Sequence, residues 1–149
     1  MSSINSLGRT INVITSVTTA ARRVNLNHYS GVLFVVNGAT GATTLTINEA
    51  NAASGGTSQL LAGGTALTLP YWTMANNSGV WTAGAGGVNG TSINTLAAAG
   101  ATLAVYVTQG MLSDGFTYVS ASHATGTILY VLGDVNAGRR PTNLSDVTV

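Results

Sequence analysis

Charge is the scarcest property of this 149-residue chain. Charged residues make up 6% of it, whereas a soluble domain carries about 25%. Lysine is absent and arginine occurs five times, against four carboxylates, for a formal net charge of +1. That supply cannot build the cationic stripe that displaces counterions from phosphates, so no nucleic-acid partner is expected. Cysteine is absent too, which excludes a disulfide scaffold and thiolate chemistry. Only two prolines occur, Pro70 and Pro141. Long hydrophobic runs are missing. The longest nearly apolar stretch, Leu96 to Val107, spans 12 residues and is broken by Gly100 and Thr102. A membrane-spanning helix needs about 20, so no membrane partner is expected. The opening Met1-Ser2-Ser3-Ile4-Asn5 lacks a basic region leading into an apolar run, and no secretory signal is expected.

Apolar residues are present in ordinary amount, at 45%. Intrinsic disorder needs low hydrophobicity with high charge, and neither holds. Thr, Ser, Asn, Gly and Ala take the place of the missing charge. The length suits one domain, able to bury roughly two-thirds of its unfolded surface. A free-standing protein usually keeps its net charge away from zero for colloidal stability. A chain this neutral is expected to have much of its surface covered by other subunits.

The local pattern is that of strands nearly throughout, from β-branched enrichment, alternation and Gly or Asn punctuation. Strands are predicted over Thr10–Thr18, Thr44–Asn48, Tyr71–Met74, Val80–Thr82, Leu103–Val107, Phe116–Ala121 and Thr127–Leu132. The apolar run Gly31–Val36 predicts a strand buried on both faces. Asn76, Asn77 and Gly79 sit between two of these segments and predict a hairpin. Glu49–Ala53 and Ile93–Ala99 contain helix formers and allow one or two short helical turns. Glycines from Gly55 to Gly90 mark long loops. Many short strands without helical spacers predict an all-β fold, an antiparallel β-sandwich or jelly-roll-like barrel. The domain is expected over 10–134, with an N-terminal arm over 1–9 and an extended C-terminal arm over 135–149.

Acid–base catalysis needs convergent titratable groups. The candidates are Glu49, Asp114, Asp134, Asp146, His28 and His123. Asp114 and Asp134 stand beside glycines at turn positions. A glycosidase-like pair would need Glu49 beside an Asp, and nothing in the sequence brings one there. No Gly-x-Ser-x-Gly elbow exists. Two distant histidines make a poor metal set, and the Gly84–Gly90 loop lacks the spacing and the lysine of a phosphate cradle. No catalytic residue, metal or cofactor is expected, and the protein is read as a non-enzyme. The arginines stand mostly in pairs, Arg22 with Arg23 and Arg139 with Arg140, the second followed by Pro141. Solvated loops or docking points for a partner's carboxylates explain them equally. Tyr71, Trp72 and Trp81 flank the hairpin as core or subunit-contact residues, or as a sugar-stacking platform.

Three segments carry a resemblance: Leu7-Gly8-Arg9-Thr10-Ile11-Asn12-Val13, Leu112-Ser113-Asp114-Gly115-Phe116-Thr117-Tyr118-Val119, and Arg139-Arg140-Pro141-Thr142-Asn143-Leu144. Together they resemble small head proteins of tailed bacteriophages, those of actinobacteriophages in particular, which are capsid decoration or cement proteins. The resemblance implies a β-rich virion protein on the outer capsid surface, made in the host cytoplasm. Its partners would be the major capsid protein and sister copies in a homotrimer at three-fold sites. The arms would then staple it to neighbouring sheet edges by main-chain hydrogen bonds. The rival expectation is a glycan- or receptor-binding module of a phage fibre or tail, carried by Tyr71, Trp72 and Trp81.

Overall fold

The computed structural model describes residues 13–17, 22–38, 44–67, 69–75, 78–84, 88–89, 93–94 and 101–133. The chain folds as an all-β sandwich of two antiparallel sheets. The larger sheet has six strands, ordered β1 (Val13–Val17), β13 (Thr127–Leu132), β3 (Gly31–Asn37), β11 (Thr102–Thr108), β7 (Tyr71–Met74) and β8 (Thr82–Ala83). The smaller sheet runs β10 (Ile93–Asn94), β4 (Thr44–Ala50), β12 (Tyr118–Ser122) and β2 (Val24–Asn25), with β5 (Ser58–Leu60) also paired to β4. A separate two-stranded ribbon joins β6 (Ala66–Leu67) to β9 (Val88–Asn89).

Alternation of side chains decides what meets in the middle. From the larger sheet, Val32, Phe34, Val36, Leu103, Val105, Val107, Ile128, Tyr130 and Leu132 point inward and are buried. Val24, Leu45, Ile47, Val119 and Ala121 meet them from the smaller sheet. Phe34 and Tyr130 are cross-strand partners whose rings pack edge-on, with centroids 4.9 Å apart. A buried phenol needs a hydrogen-bond partner. Tyr130 finds it across the sandwich, where its hydroxyl donates to the carbonyl of Ala121 (3.0 Å) and accepts from the same residue's N–H (3.3 Å).

The predicted strands agree with the structure in type and differ at their ends. The second hairpin strand starts at Thr82 rather than Val80, so Val80 and Trp81 lie in the connection. No helix forms from Glu49, which belongs to β4. The described helical turns are short 3₁₀ segments elsewhere, at Leu26–His28, Leu61–Gly64 and Gln109–Met111. Ile93–Asn94 is a strand, while 95–99 lies outside the described residues. β3 is buried on one face only, since Leu33 and Val35 on its other face are half-buried. The expected arms, 1–9 and 135–149, also lie outside the described residues.

Candidate interaction surface

The middle of the six-stranded sheet's outer face is apolar, with Thr127, Asn37 and Thr102 at one end of it and Thr108 at the other. In the register of the sheet, Leu129 pairs with Val35, Val35 with Ala104, Ala104 with Trp72, and Trp72 with Ala83. These directly opposed residues share a face and form one row. A second row runs Val131, Leu33, Tyr106. Leu33, Val35, Ala104, Tyr106, Trp72 and Trp81 line a groove of about 540 Å³ on this face. Trp72 is 37% exposed and Trp81 46%, with Val80 beside them at 67%.

The local sequence explains the relief of this groove. Gly31 begins β3 where Tyr106 crosses it. A Cβ at Gly31 would lie 2.6 Å from the Tyr106 hydroxyl and 2.7 Å from the Val107 carbonyl. The missing side chain lets the tyrosine lie against the sheet. Ala104, small and central, forms the floor between Val35 and Trp72.

The three aromatics of the hairpin divide between two faces. Trp72 and Trp81 line the groove. Tyr71, one residue from Trp72, points the other way, pairs with inward-facing Val105 and packs on the core. Its ring occupies the space that a Cβ on Gly84 would need.

The expected arginine sites also divide. Arg22 and Arg23 are both half-buried. Arg23 Nη1 donates to the carbonyls of Ala52 (2.9 Å) and Gly55 (2.6 Å), so it ties down the loop between β4 and β5. Arg139, Arg140 and Pro141 lie outside the described residues.

Glu49 occupies a position that the local sequence does not announce. It continues the inward alternation of Leu45 and Ile47 and is fully buried. Its oxygens accept from Gln59 Nε2 (2.6 Å) and from the backbone N–H groups of Ser113 (2.9 Å), Ala62 (3.2 Å) and Gly63 (3.2 Å). The last two donors converge because Ala62 and Gly63 both adopt left-handed backbone, with φ of 54° and 64°. Successive N–H groups in such turns form a concave anion site. Burial raises the carboxyl pKa, but the hydrogen bonds from Gln59, Ser113 and Gly63 outweigh it and hold the group below the ordinary value of 4.5. Engaged on both oxygens, this buried carboxylate ties β4 to Gln59, to the turn at Ala62–Gly63 and to Ser113.

His123 is buried at the end of β12, and its Nδ1 lies 2.7 Å from the carbonyl of Thr125. Among the described residues, no three His, Cys, Asp or Glu side chains gather as a metal site. No helix among those residues is long and apolar enough to cross a membrane.

Fold and surface together define a class: a charge-poor β-sandwich with one sheet face left apolar and uncovered by any described element. In comparisons with protein-family models, curated proteins and solved structures, nothing matches the chain.

Proposed function

We propose that this protein is a structural virion component, a decoration protein that binds the outer surface of a tailed-phage capsid and stabilises the shell. The observation that carries the reading is the apolar outer face of the six-stranded sheet on a chain with almost no charge. Apolar patches of this kind on soluble proteins mark contact with other macromolecules. The resemblance of the Leu7–Val13, Leu112–Val119 and Arg139–Leu144 segments to small phage head proteins gives the assembly its identity. In this reading the partners are the major capsid protein and sister copies in a homotrimer. Arg22, Arg139, Arg140 and Pro141 dock on the capsid, while Arg23 contributes mainly by holding its own loop. No catalytic step is assigned, and the buried Glu49 serves the fold.

Co-sedimentation with undecorated heads of the encoding phage tests this. Binding that saturates at a fixed copy number per shell is expected. Absence of binding at micromolar protein would sink the proposal. Titrating the bound complex with NaCl separates the contributions. Apolar attachment persists through about 0.5 M salt, where screening is nearly complete, and arginine docking does not.

One observation favours the rival glycan-binding reading: Trp72 and Trp81 are both exposed on one face. The surrounding Leu33, Val35 and Ala104 weigh against it. Sugar recognition relies on fixed polar groups beside the stacking ring to set orientation, and this groove has neither a carboxylate nor an amide side chain among its lining residues. A glycan array without hits removes that option.

A further inference from the structure

We infer that Asn37 is a site of spontaneous covalent modification, at which its side-chain amide cyclises onto the backbone of Gly38 with help from the Thr102 hydroxyl and opens to aspartate and isoaspartate. The inference goes beyond the capsid reading and does not depend on it.

The chemistry needs only the chain and water. The backbone nitrogen of the following residue gives up its proton and attacks the asparagine Cγ. A cyclic imide forms, and the side-chain nitrogen leaves as ammonia. Water then adds to one of the two imide carbonyls. Opening at the backbone carbonyl gives isoaspartate, whose main chain is one methylene longer, and opening at the other gives aspartate. A side chain on the following residue would shield the attacking nitrogen, and glycine has none. The chain contains two such pairs in the same local sequence, Val36-Asn37-Gly38 and Val88-Asn89-Gly90.

The first structural argument is freedom to close the ring. Asn37 is the last residue of β3, and both it and Gly38 are exposed. The pairing with β13 ends on Asn37, and the pairing with β11 ends one residue earlier, on Val36. The peptide unit that must rotate therefore lies beyond both ladders. A Cβ placed on Gly38 would meet nothing within 4 Å, so no packed neighbour holds that unit either.

The second argument is a donor at the reacting carbonyl. Thr102 Oγ1 on β11 donates to Asn37 Oδ1 across 3.5 Å. The bond is long in the resting amide, yet it is aimed at the oxygen on which negative charge gathers as the nitrogen attacks. A donor fixed there stabilises the tetrahedral intermediate more than the starting amide. Thr102 is only 4% exposed, so its hydroxyl is held by its surroundings rather than competed for by bulk water.

The consequence is electrostatic. Conversion places a carboxylate between Thr127 and Thr102, at one end of the outer face of the six-stranded sheet. In a chain with four carboxylates and a formal net charge of +1, that change removes the net charge.

The experiment ages the full chain at neutral pH, folded and in urea. Mass spectrometry of the peptides carrying Asn37 and Asn89 reads the conversion of amide to acid, with chromatographic separation of the two products. The folded protein should convert at Asn37 to both products, at least as fast as the chain in urea. Thr102→Val should slow Asn37 roughly fivefold in the folded protein, the equivalent of one neutral hydrogen bond. It should leave Asn37 in urea, and Asn89, unchanged. Thr102→Ser keeps the hydroxyl and should keep the wild-type rate, with circular dichroism confirming native strand content in both variants. An Asn37 that retains its amide in the folded protein while converting in urea overturns the inference. So does a folded-state rate that Thr102→Val leaves unchanged, or one that Thr102→Ser lowers as far as Thr102→Val does.

Discussion

The two sheets of this sandwich have opposite outer faces. Outside the six-stranded sheet, Leu33, Val35, Ala104, Tyr106, Leu129, Val131 and Trp72 form an apolar middle, with Thr127, Asn37 and Thr102 at one end and Thr108 at the other. Outside the smaller sheet are Thr46, Asn48, Ser58, Ser120 and Ser122, with Ala50, Tyr118 and the exposed Leu60 as apolar or aromatic members. An antiparallel sheet with one solvated face normally alternates apolar inward with polar outward. The smaller sheet keeps closer to that rule, and the middle of the larger one breaks it. Because the same chain does both, overall composition cannot explain the difference. The apolar face is specific to one side, which is what a contact surface requires. The smaller sheet has a further tie: the buried carboxylate of Glu49 on its interior strand β4 accepts from the backbone at Gly63 and Ser113.

The largest expected effect tests the apolar side of that comparison. Phe34 is fully buried at the centre of the six-stranded sheet and stacks edge-on with Tyr130. Phe34→Ala should cost about 3–5 kcal/mol through lost transfer energy and a residual cavity. Urea unfolding followed by circular dichroism measures it. The loss should be the same at neutral and mildly acidic pH, since no titratable group is removed.

Glu49→Gln tests the polar side. The substitution keeps the volume but turns an N–H₂ donor towards the N–H groups that now point at a carboxylate. A loss of about 2–3 kcal/mol is expected. Its pH dependence distinguishes it from Phe34→Ala. The folded-state pKa of Glu49 is lowered, so its stabilisation is present above the unfolded carboxyl value and is lost as pH falls through the folded value. The wild type should therefore lose stability on acidification below the ordinary carboxylate range, and the variant should lose less. Equal acid sensitivity in both proteins would show that this carboxylate does not hold the turn at Ala62–Gly63 and Ser113 to β4.

These contrasts were legible in the sequence to unequal degrees. Alternation places Leu45 and Ile47 inward without ambiguity, and the unbroken run at β3 marks a strand. One further step of the same alternation places Glu49 inward. A charged residue at an inward position breaks the apolar pattern, so the segment reads instead as the start of a helical turn. Its donors come from residues near 60 and from Ser113, a separation no local pattern reports. Alternation also separates Tyr71 from Trp72, because neighbours in a strand face opposite sides. Val80 and Trp81 fit strand propensity, yet the pairing of Thr73 with Thr82 leaves them outside the sheet. The larger sheet's outer face could not be read as exposed, because an apolar residue predicts burial without saying what covers it. Here no described element does.

Between the sheets lies a smaller test. Tyr130 belongs to the larger sheet, and its hydroxyl serves the backbone of Ala121 in the smaller one. Tyr130→Phe keeps the ring contact with Phe34 and removes that link. The expected cost is about 1–2 kcal/mol, the range for a buried hydrogen bond with one partner left unsatisfied. Amide exchange should accelerate at Ala121 ahead of global unfolding if the bond couples the layers. Unchanged protection there would mean apolar contacts alone hold them together.

The smallest effect bears most directly on the two outer faces. Val35→Thr makes the apolar face more polar, and Thr46→Val makes the polar face more apolar, with a near-isosteric change in each case. In the isolated subunit both positions are half-buried, so each change should stay within about 1 kcal/mol. Their effects on the concentration dependence of the melting temperature should differ. A ligand that binds only the folded state raises apparent stability with its own concentration, and a sister copy, a partner in the proposed assembly, would be such a ligand. Val35→Thr should flatten that dependence, while Thr46→Val should leave it unchanged. If both variants flattened it, or neither did, the two faces would be equivalent in solution. The difference in their side chains would then have no consequence for assembly.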